Sequence, residues 1–240
     1  MPTGEAALIV NLKDDSIRMY DKDTLALGAE LGGAVLVGVH TEPMVIDGEE
    51  QEWVFGVQFH AGGAFPFLGG IPSDETTNLH VEADDLWRGG ALRERLLEVA
   101  QEPERMFGVA ERFLCACLRR QQKARTRHPA VEFALRELRC HAGNKTVAEL
   151  VDQTGLSARR FIQLFREQTG VVPKTFARLC RFQRTLVAVH LKQQVDWADI
   201  AQVCGYHDQA HLIHEFREFA GMTPSVYLVR STEHKNHVAV

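Results

Sequence analysis

The chain has 240 residues, 45% of them hydrophobic and 25% charged, with a formal net charge of -5. That length accommodates two domains of ordinary size, and no apolar run reaches the roughly 18 residues of a membrane helix. The opening MPTGEAALIV has no basic segment ahead of its short apolar run, so no secretion signal is expected.

The five cysteines are odd in number and mostly fall inside helical patterns, which points to free thiols in a reducing, cytoplasmic compartment. Cys115 and Cys117 are two apart and face different sides of a helix, so no metal or redox pair is expected there. Charge is unevenly spread. Residues 1–126 hold 12 Lys+Arg against 21 Asp+Glu, whereas residues 127–240 hold 15 against 11 and eight of the eleven histidines. An acidic half joined to a mildly basic one fits a module that meets a polyanion, carried by one that does not.

Residues 1–88 read as β-rich. ALIVNL (7–12) is a short apolar run and SIRMYD (16–21) alternates. GGAVLVGVHTEPMVI (32–46) is rich in valine, and EWVFGVQFH (52–60) is β-branched and aromatic. Acidic turns separate these runs, which predicts an antiparallel sheet, with a small barrel as one form of it. Glycines at 56, 62, 63, 69 and 70 surround four phenylalanines, and a tight corner is the favoured reading over a ligand loop. The strand pattern starts six residues from Met1, which leads to the expectation of a further strand upstream, lost through truncation or an alternative start. Helical spacing follows over 91–101 and again from Pro103 through Met106, Val109, Phe113, Leu114 and Cys117. These helices are expected to close the first domain, with pairing between subunits as the other use. QQKARTRH (121–128) reads as a linker, so residues 89–126 form a helical segment and linker.

From 130 onward the pattern is helical throughout. A first helix over 130–140 ends at Gly143-Asn144. Thr146 and Glu149 have capping-box spacing. Gly155 ends a short helix, and Ser157 caps another to Thr169. Pro173 opens a long helix to about Gln194, with Phe176, Leu179, Cys180, Phe182, Leu186, Val187 and Val189 as its apolar set. Asp196 caps the next helix, Gly205 turns the chain, and Asp208 caps a helix ending at Gly221. Pro224 opens a final short helix. Residues 231–240 lack any pattern and are expected to be disordered.

Within this region the stretch 148–176 returns, altered, over 199–227. Gly155 matches Gly205, and after one extra residue in the second turn Phe165 matches Phe216, Gly170 matches Gly221 and Pro173 matches Pro224. Each copy is a short helix, a glycine turn and a second helix starting at a Ser or Asp cap, the sequence form of a helix-turn-helix. In such a unit the second helix enters the major groove. Phe161, Leu164 and Phe165, with Leu212 and Phe216, must face the core. That leaves Ala158, Arg159, Ile162, Gln163 and Arg166 outward in the first copy, and Gln209, Ala210, Ile213, His214 and Arg217 in the second. Arg suits guanine, Gln suits adenine and Ile suits a thymine methyl. Arg166 and Arg217 lie further along and suit phosphates. A linking helix of about 20 residues would span ~30 Å, comparable to the roughly 34 Å of one DNA turn.

Residues 130–230 resemble the DNA-binding domain of the AraC/XylS family of transcription regulators. The second copy carries the pattern most plainly in Gly205-Tyr206, Phe216-Arg217, Gly221-Met222-Thr223-Pro224 and Tyr227. The resemblance implies seven helices, two helix-turn-helix units and a rigid linking helix. Its base-facing sites fall on Arg159, Ile162, Gln163, Gln209, Ala210, Ile213 and His214. This chain has Ala210 where the family often has Ser, Leu212 in place of an aromatic, and His214 at or near an Arg position, which would make a weaker, pH-dependent contact. Residues 56–70 resemble the regulatory domain of a subset of the family, which implies a β-rich sensor or dimerisation domain.

The expected class is therefore α+β: a β-rich sensor-like domain over 1–88, then an all-α DNA-binding domain over 127–230 with two helix-turn-helix motifs joined by a long helix. The expected partners are double-stranded DNA, a small-molecule effector and RNA polymerase, with the chain acting as a homodimer or monomer away from membranes. No catalytic residue, metal or cofactor is expected. His40, Glu42, Glu49 and His60 lack the spacing of a cupin-type metal site, which disfavours the rival reading of an enzyme or ligand-binding β-barrel with a helical accessory domain. The first copy, with more arginine, is expected to make more of the sequence-specific contact.

Overall fold

The computed structural model describes residues 1–50, 52–87, 91–120, 126–190, 192 and 194–239. Most of the expected linker, residues 121–125, lies outside the described residues. The chain forms two compact units: Glu5–Gly38 with Met44–Arg127, and His128–Val240 joined by Met1–Gly4 and Val39–Pro43. The helices between residues 91 and 120 fall within the first unit, and two short pieces from the N-terminal half fall within the second.

Among the described residues the first unit has six strands: β1 (Ala7–Asn11), β2 (Ser16–Tyr20), β3 (Leu27–Gly32), β4 (Ala34–Val37), β5 (Val54–Gln58) and β6 (His80–Glu82). Four make an antiparallel sheet in the order β5-β1-β4-β6, and β2 and β3 make a separate hairpin. The expected barrel does not close, because among the described residues β5 and β6 remain the two edges of an open sheet. Alternation along β1 puts Leu8 and Val10 in the core on one face. On the other face, Ala7 and Ile9 join Val35 and Val37 beneath Ile17, Met19 and Leu31 of the hairpin. The valine-rich run expected to continue to residue 46 stops after Val37. A Cβ on the next residue, Gly38, would lie 1.8 Å from the Thr76 carbonyl oxygen, so only glycine fits this close approach.

Among the described residues this unit also has the α-helices α1 (Ala83–Trp87), α2 (Leu92–Leu97) and α3 (Pro103–Arg120). Met106, Ala110, Phe113 and Cys117 bury one stripe of α3 at i, i+4, i+7 and i+11. Phe113 meets the edge of Trp87 with ring centroids 5.7 Å apart, and the Trp87 indole donates to the Phe67 carbonyl at 2.8 Å. An apolar groove of about 440 Å³ runs between β5 and α3, lined by Phe55, Val57, Phe67, Phe107, Leu114 and Leu118 among others.

The second unit is all-α: α4 (Pro129–Cys140), α5 (Val147–Asp152), α6 (Ala158–Thr169), α7 (Pro173–Val189), α8 (Trp197–Cys204), α9 (Gln209–Ala220) and α10 (Pro224–Arg230). The helix α7 carries both halves of the core. Toward its start, Phe176 packs on Phe165 at 5.9 Å, and Phe165 on Phe161 at 6.0 Å. Further along, Phe182 packs on Phe216 at 5.2 Å and on Phe219 at 5.4 Å, within a cluster that includes Leu186, Val189, Ile200, Cys204, Leu212 and Tyr227.

Three expectations are corrected here. The helix α7 ends at Val189 rather than near Gln194. His190 turns to extended backbone, and its Nε2 lies 3.0 Å from the Glu233 carbonyl. Its 17 residues make it about 26 Å long. Val187, expected inward, is 63% exposed, while Ala177 and Thr185 take inner positions. Finally, the expected disordered tail is folded. Ser231 bridges Val238, the buried Tyr227 hydroxyl donates to the Lys235 carbonyl at 2.8 Å, and Gln183 donates to the Asn236 side chain at 2.9 Å. Burial drives this, since a buried phenol and amide need partners; it also pushes the Tyr227 pKa up to about 12.

Gly143 sits in the turn between α4 and α5 at φ +75°, and a Cβ there would lie 1.9 Å from the Ala177 carbonyl oxygen. Gly143→Ala is therefore expected to cost about 2–4 kcal/mol, read as a lower urea midpoint of the helical circular dichroism signal. An unchanged midpoint would show that the turn and α7 separate freely.

Candidate nucleic-acid interface

Each helix-turn-helix unit is set by local chemistry. The Thr146 hydroxyl accepts from the Glu149 amide at 3.2 Å, and Glu149 accepts from the Thr146 amide at 2.7 Å, closing the capping box that starts α5. Hydrogen bonds donated by the Thr146 amide and hydroxyl hold the Glu149 carboxyl below its ordinary range. Gly155 takes φ +67° in the turn, and Ser157 caps α6 by accepting from the Arg160 amide at 3.3 Å. In the second unit Asp196 accepts from the Ala198 and Asp199 amides at 2.9 and 3.2 Å, and Gly205 ends α8 at φ +82°. Asp208 caps α9 through the His211 amide at 2.8 Å. That bond, followed by one from His207, lowers the Asp208 pKa.

The buried faces of α6 and α9 fix what points outward. Phe161, Leu164, Phe165, Gln168 and Thr169 are buried on α6, and Leu212, Glu215, Phe216, Phe219 and Ala220 on α9. On α6, Arg159, Ile162, Gln163 and Arg166 are all exposed and share one face at i, i+3, i+4 and i+7. Gln163 is engaged at rest: its amide donates to Glu167 at 2.7 Å and its oxygen accepts from Arg160 at 3.4 Å. On α9, Gln209, Ala210, His214 and Arg217 are exposed. Ile213 departs from the expectation, because it is only partly exposed and packs against the core cluster.

Two features were missed by sequence reasoning. Arg160 is exposed on α6 beside Gln163 and adds a cation to the same surface; the adjacent Arg159-Arg160 pair was the available signal. The other is a buried ion cluster. Glu215, whose side chain is 3% exposed, accepts from Arg178 Nε at 3.0 Å and from Arg181 Nη2 at 2.9 Å. Arg178 also forks onto Glu218, which lowers the Glu218 pKa and raises that of Arg178. An acidic residue between the inward positions Leu212, Phe216 and Phe219, with two arginines three apart on α7, could have revealed it. Among the described residues no group of three His, Cys, Asp or Glu is placed to hold a metal ion.

Two helix-turn-helix units built on one shared helix define a DNA-binding domain. Residues 150–230 match the helix-turn-helix domain family, and residues 1–82 match a family described as a domain of unknown function (DUF6597). A probable transcriptional regulator of Photobacterium leiognathi, LumQ, is 31% identical over 84 residues, 34% of this chain and 33% of LumQ. The match thus spans about a third of the length of that curated relative. Among solved structures, ToxT of Vibrio cholerae is similar at 12% identity over 98% of this chain and 92% of its own, with a TM-score of 0.49. A ToxT structure with unsaturated fatty acid bound has a TM-score of 0.46 at 12% identity, over 93% of this chain and 86% of its own. By the first of these matches the C-terminal part of the chain, residues 150–230, is a helix-turn-helix domain.

Asp208→Ala is expected to destabilise α9 at neutral pH. A carboxyl held below its ordinary value of 3.8 stabilises the fold above that value and loses the effect as pH falls through its folded pKa. The difference in melting temperature between Asp208→Ala and the parent should therefore shrink below pH 3.8; a pH-independent difference would show that the cap does not act through its charge.

Proposed function

We propose that the protein is a cytoplasmic, sequence-specific DNA-binding regulator of transcription that reads two adjacent major-groove segments, one with α6 and one with α9. One observation carries this reading. Two capped helices, each set on a positive-φ glycine turn, turn polar faces outward from one shared helix.

In the proposed complex, Arg159 and Gln163 contact base edges with Ile162 against a thymine methyl, while Arg160 and Arg166 contact phosphates. Gln163 must exchange its bond to Glu167 for one to adenine. On α9, Gln209, Ala210 and His214 face bases and Arg217 a phosphate, with the outer edge of Ile213 beside them. The first unit carries more of the specificity, since α6 turns three arginines outward where α9 turns one. The N-terminal unit supplies regulation, and its apolar groove between β5 and α3 suits a small apolar effector.

Selection from random duplexes with the full-length chain tests the proposal. A defined motif should emerge, bound with an affinity that falls steeply as salt rises. Arg159→Ala and Gln163→Ala should each cost roughly 1–3 kcal/mol and relax preference at one position, while Arg166→Ala weakens all sequences alike. Failure to enrich any sequence even at about 50 mM salt would refute the function.

A further inference from the structure

We propose that the buried ion cluster of Arg178, Arg181 and Glu215 sets the orientation of α9 relative to the first helix-turn-helix unit. It thereby fixes the separation of the two DNA segments that the domain accepts. The inference rests on the reading of α6 and α9 as base-contacting helices.

Arg181 is the centre of the cluster. It donates through Nη2 to Glu215 on α9 at 2.9 Å and through Nη1 to the Gly143 carbonyl at 3.2 Å. Gly143 lies in the turn that leads into the first unit. The Arg181 guanidinium also lies 5.7 Å from the ring centre of Tyr206, in the turn of the second unit. One side chain on the shared helix therefore touches the segment before the first unit and two parts of the second. Arg178 repeats the grip one helical turn earlier, bonding Glu215 at 3.0 Å, forking onto Glu218 and lying 5.0 Å from the Phe219 ring centre. His211 Nε2 lies 3.3 Å from the same Glu215 oxygen.

A second contact ties the same two turns. At Gly205 a Cβ would lie 2.1 Å from the Asn144 side-chain oxygen, so the turn before α5 presses directly on the turn between α8 and α9.

The chemistry of the cluster favours orientation over stability. Burying ions costs most of what their attraction returns, so apolar residues of similar size often hold a fold equally well. A guanidinium fork differs in being directional, since its bonds weaken when the partner rotates or slides. Apolar contacts tolerate such sliding. Glu215 follows His214 directly and lies two residues before Arg217, so a shift of Glu215 moves the outward face of α9. These three residues are positioning residues: they act on DNA through α9 and need not touch it.

The test uses the full-length chain, its selected duplex, and versions of that duplex with one or two base pairs inserted between the two protected segments. Two variants are compared with the parent: Glu215→Gln, and the triple replacement R178M/R181M/E215L. Binding anisotropy gives affinities, footprinting maps each segment, and melting reports the fold.

The parent should lose roughly 10- to 100-fold in affinity per inserted base pair, the loss of one or two good base contacts. The triple variant should melt within a few degrees of the parent and keep its base preference in each segment, yet lose less than about threefold on insertion. Glu215→Gln should shift the same way. A folded triple variant with the parent's insertion penalty overturns the proposal. Unfolding of both variants also overturns it, by making the cluster a stability element. A parent that protects one segment only, or none, instead overturns the two-helix reading beneath it.

Discussion

Everything in the second unit depends on the burial of aromatic side chains along α7. Phe176 serves the first helix-turn-helix unit and Phe182 the second, and the two lie six residues apart on one rigid rod. Neither short helix pair has enough apolar surface to hold itself together; isolated helices of 6–12 residues are marginal in water. Each becomes stable only by packing on the common helix. Sharing that helix is what makes the two helix-turn-helix units into one body.

Electrostatics then divides the labour. Four carboxylates of the domain serve internal tasks: Glu149, Asp196 and Asp208 satisfy helix N-termini, and Glu215 is buried against arginines. The outward arginines of α6 are left facing solvent with Glu167 as the acidic neighbour at Gln163. Arg159, Arg160 and Arg166 thus place three cations together on the outward side of α6.

The sequence made the helical half legible because its signals are local. Gly at C′, Ser, Thr and Asp at caps, and Pro at the first helical position each act within a few residues, and the caps at Thr146, Ser157, Asp196 and Asp208 form as their spacing implies. What was not legible depends on distant partners. The Glu215 cluster joins residues 34 and 37 positions apart. The end of α7 at Val189 and the ordering of residues 231–239 both depend on contacts such as His190 with Glu233, which no local pattern encodes. In the first unit the missed strand Leu27–Gly32 is nearly all exposed and lacks the alternation that betrays a strand. The barrel expectation failed because strand signals give pairing partners no address, and the hairpin β2–β3 pairs with itself.

The two second helices share one further device. Each ends in a left-handed glycine, Gly170 at φ 88° and Gly221 at φ 70°, and after two residues Pro173 or Pro224 starts the next helix. These corners set the exit angle of the chain from backbone geometry alone, without help from the outward side chains. Under the proposed function, the solvent faces of α6 and α9 are interchangeable cassettes. New base preferences would be written onto Arg159, Ile162, Gln163 and Arg166 or onto Gln209, Ala210, His214 and Arg217, while the hinges, core and register on either side stay as they are.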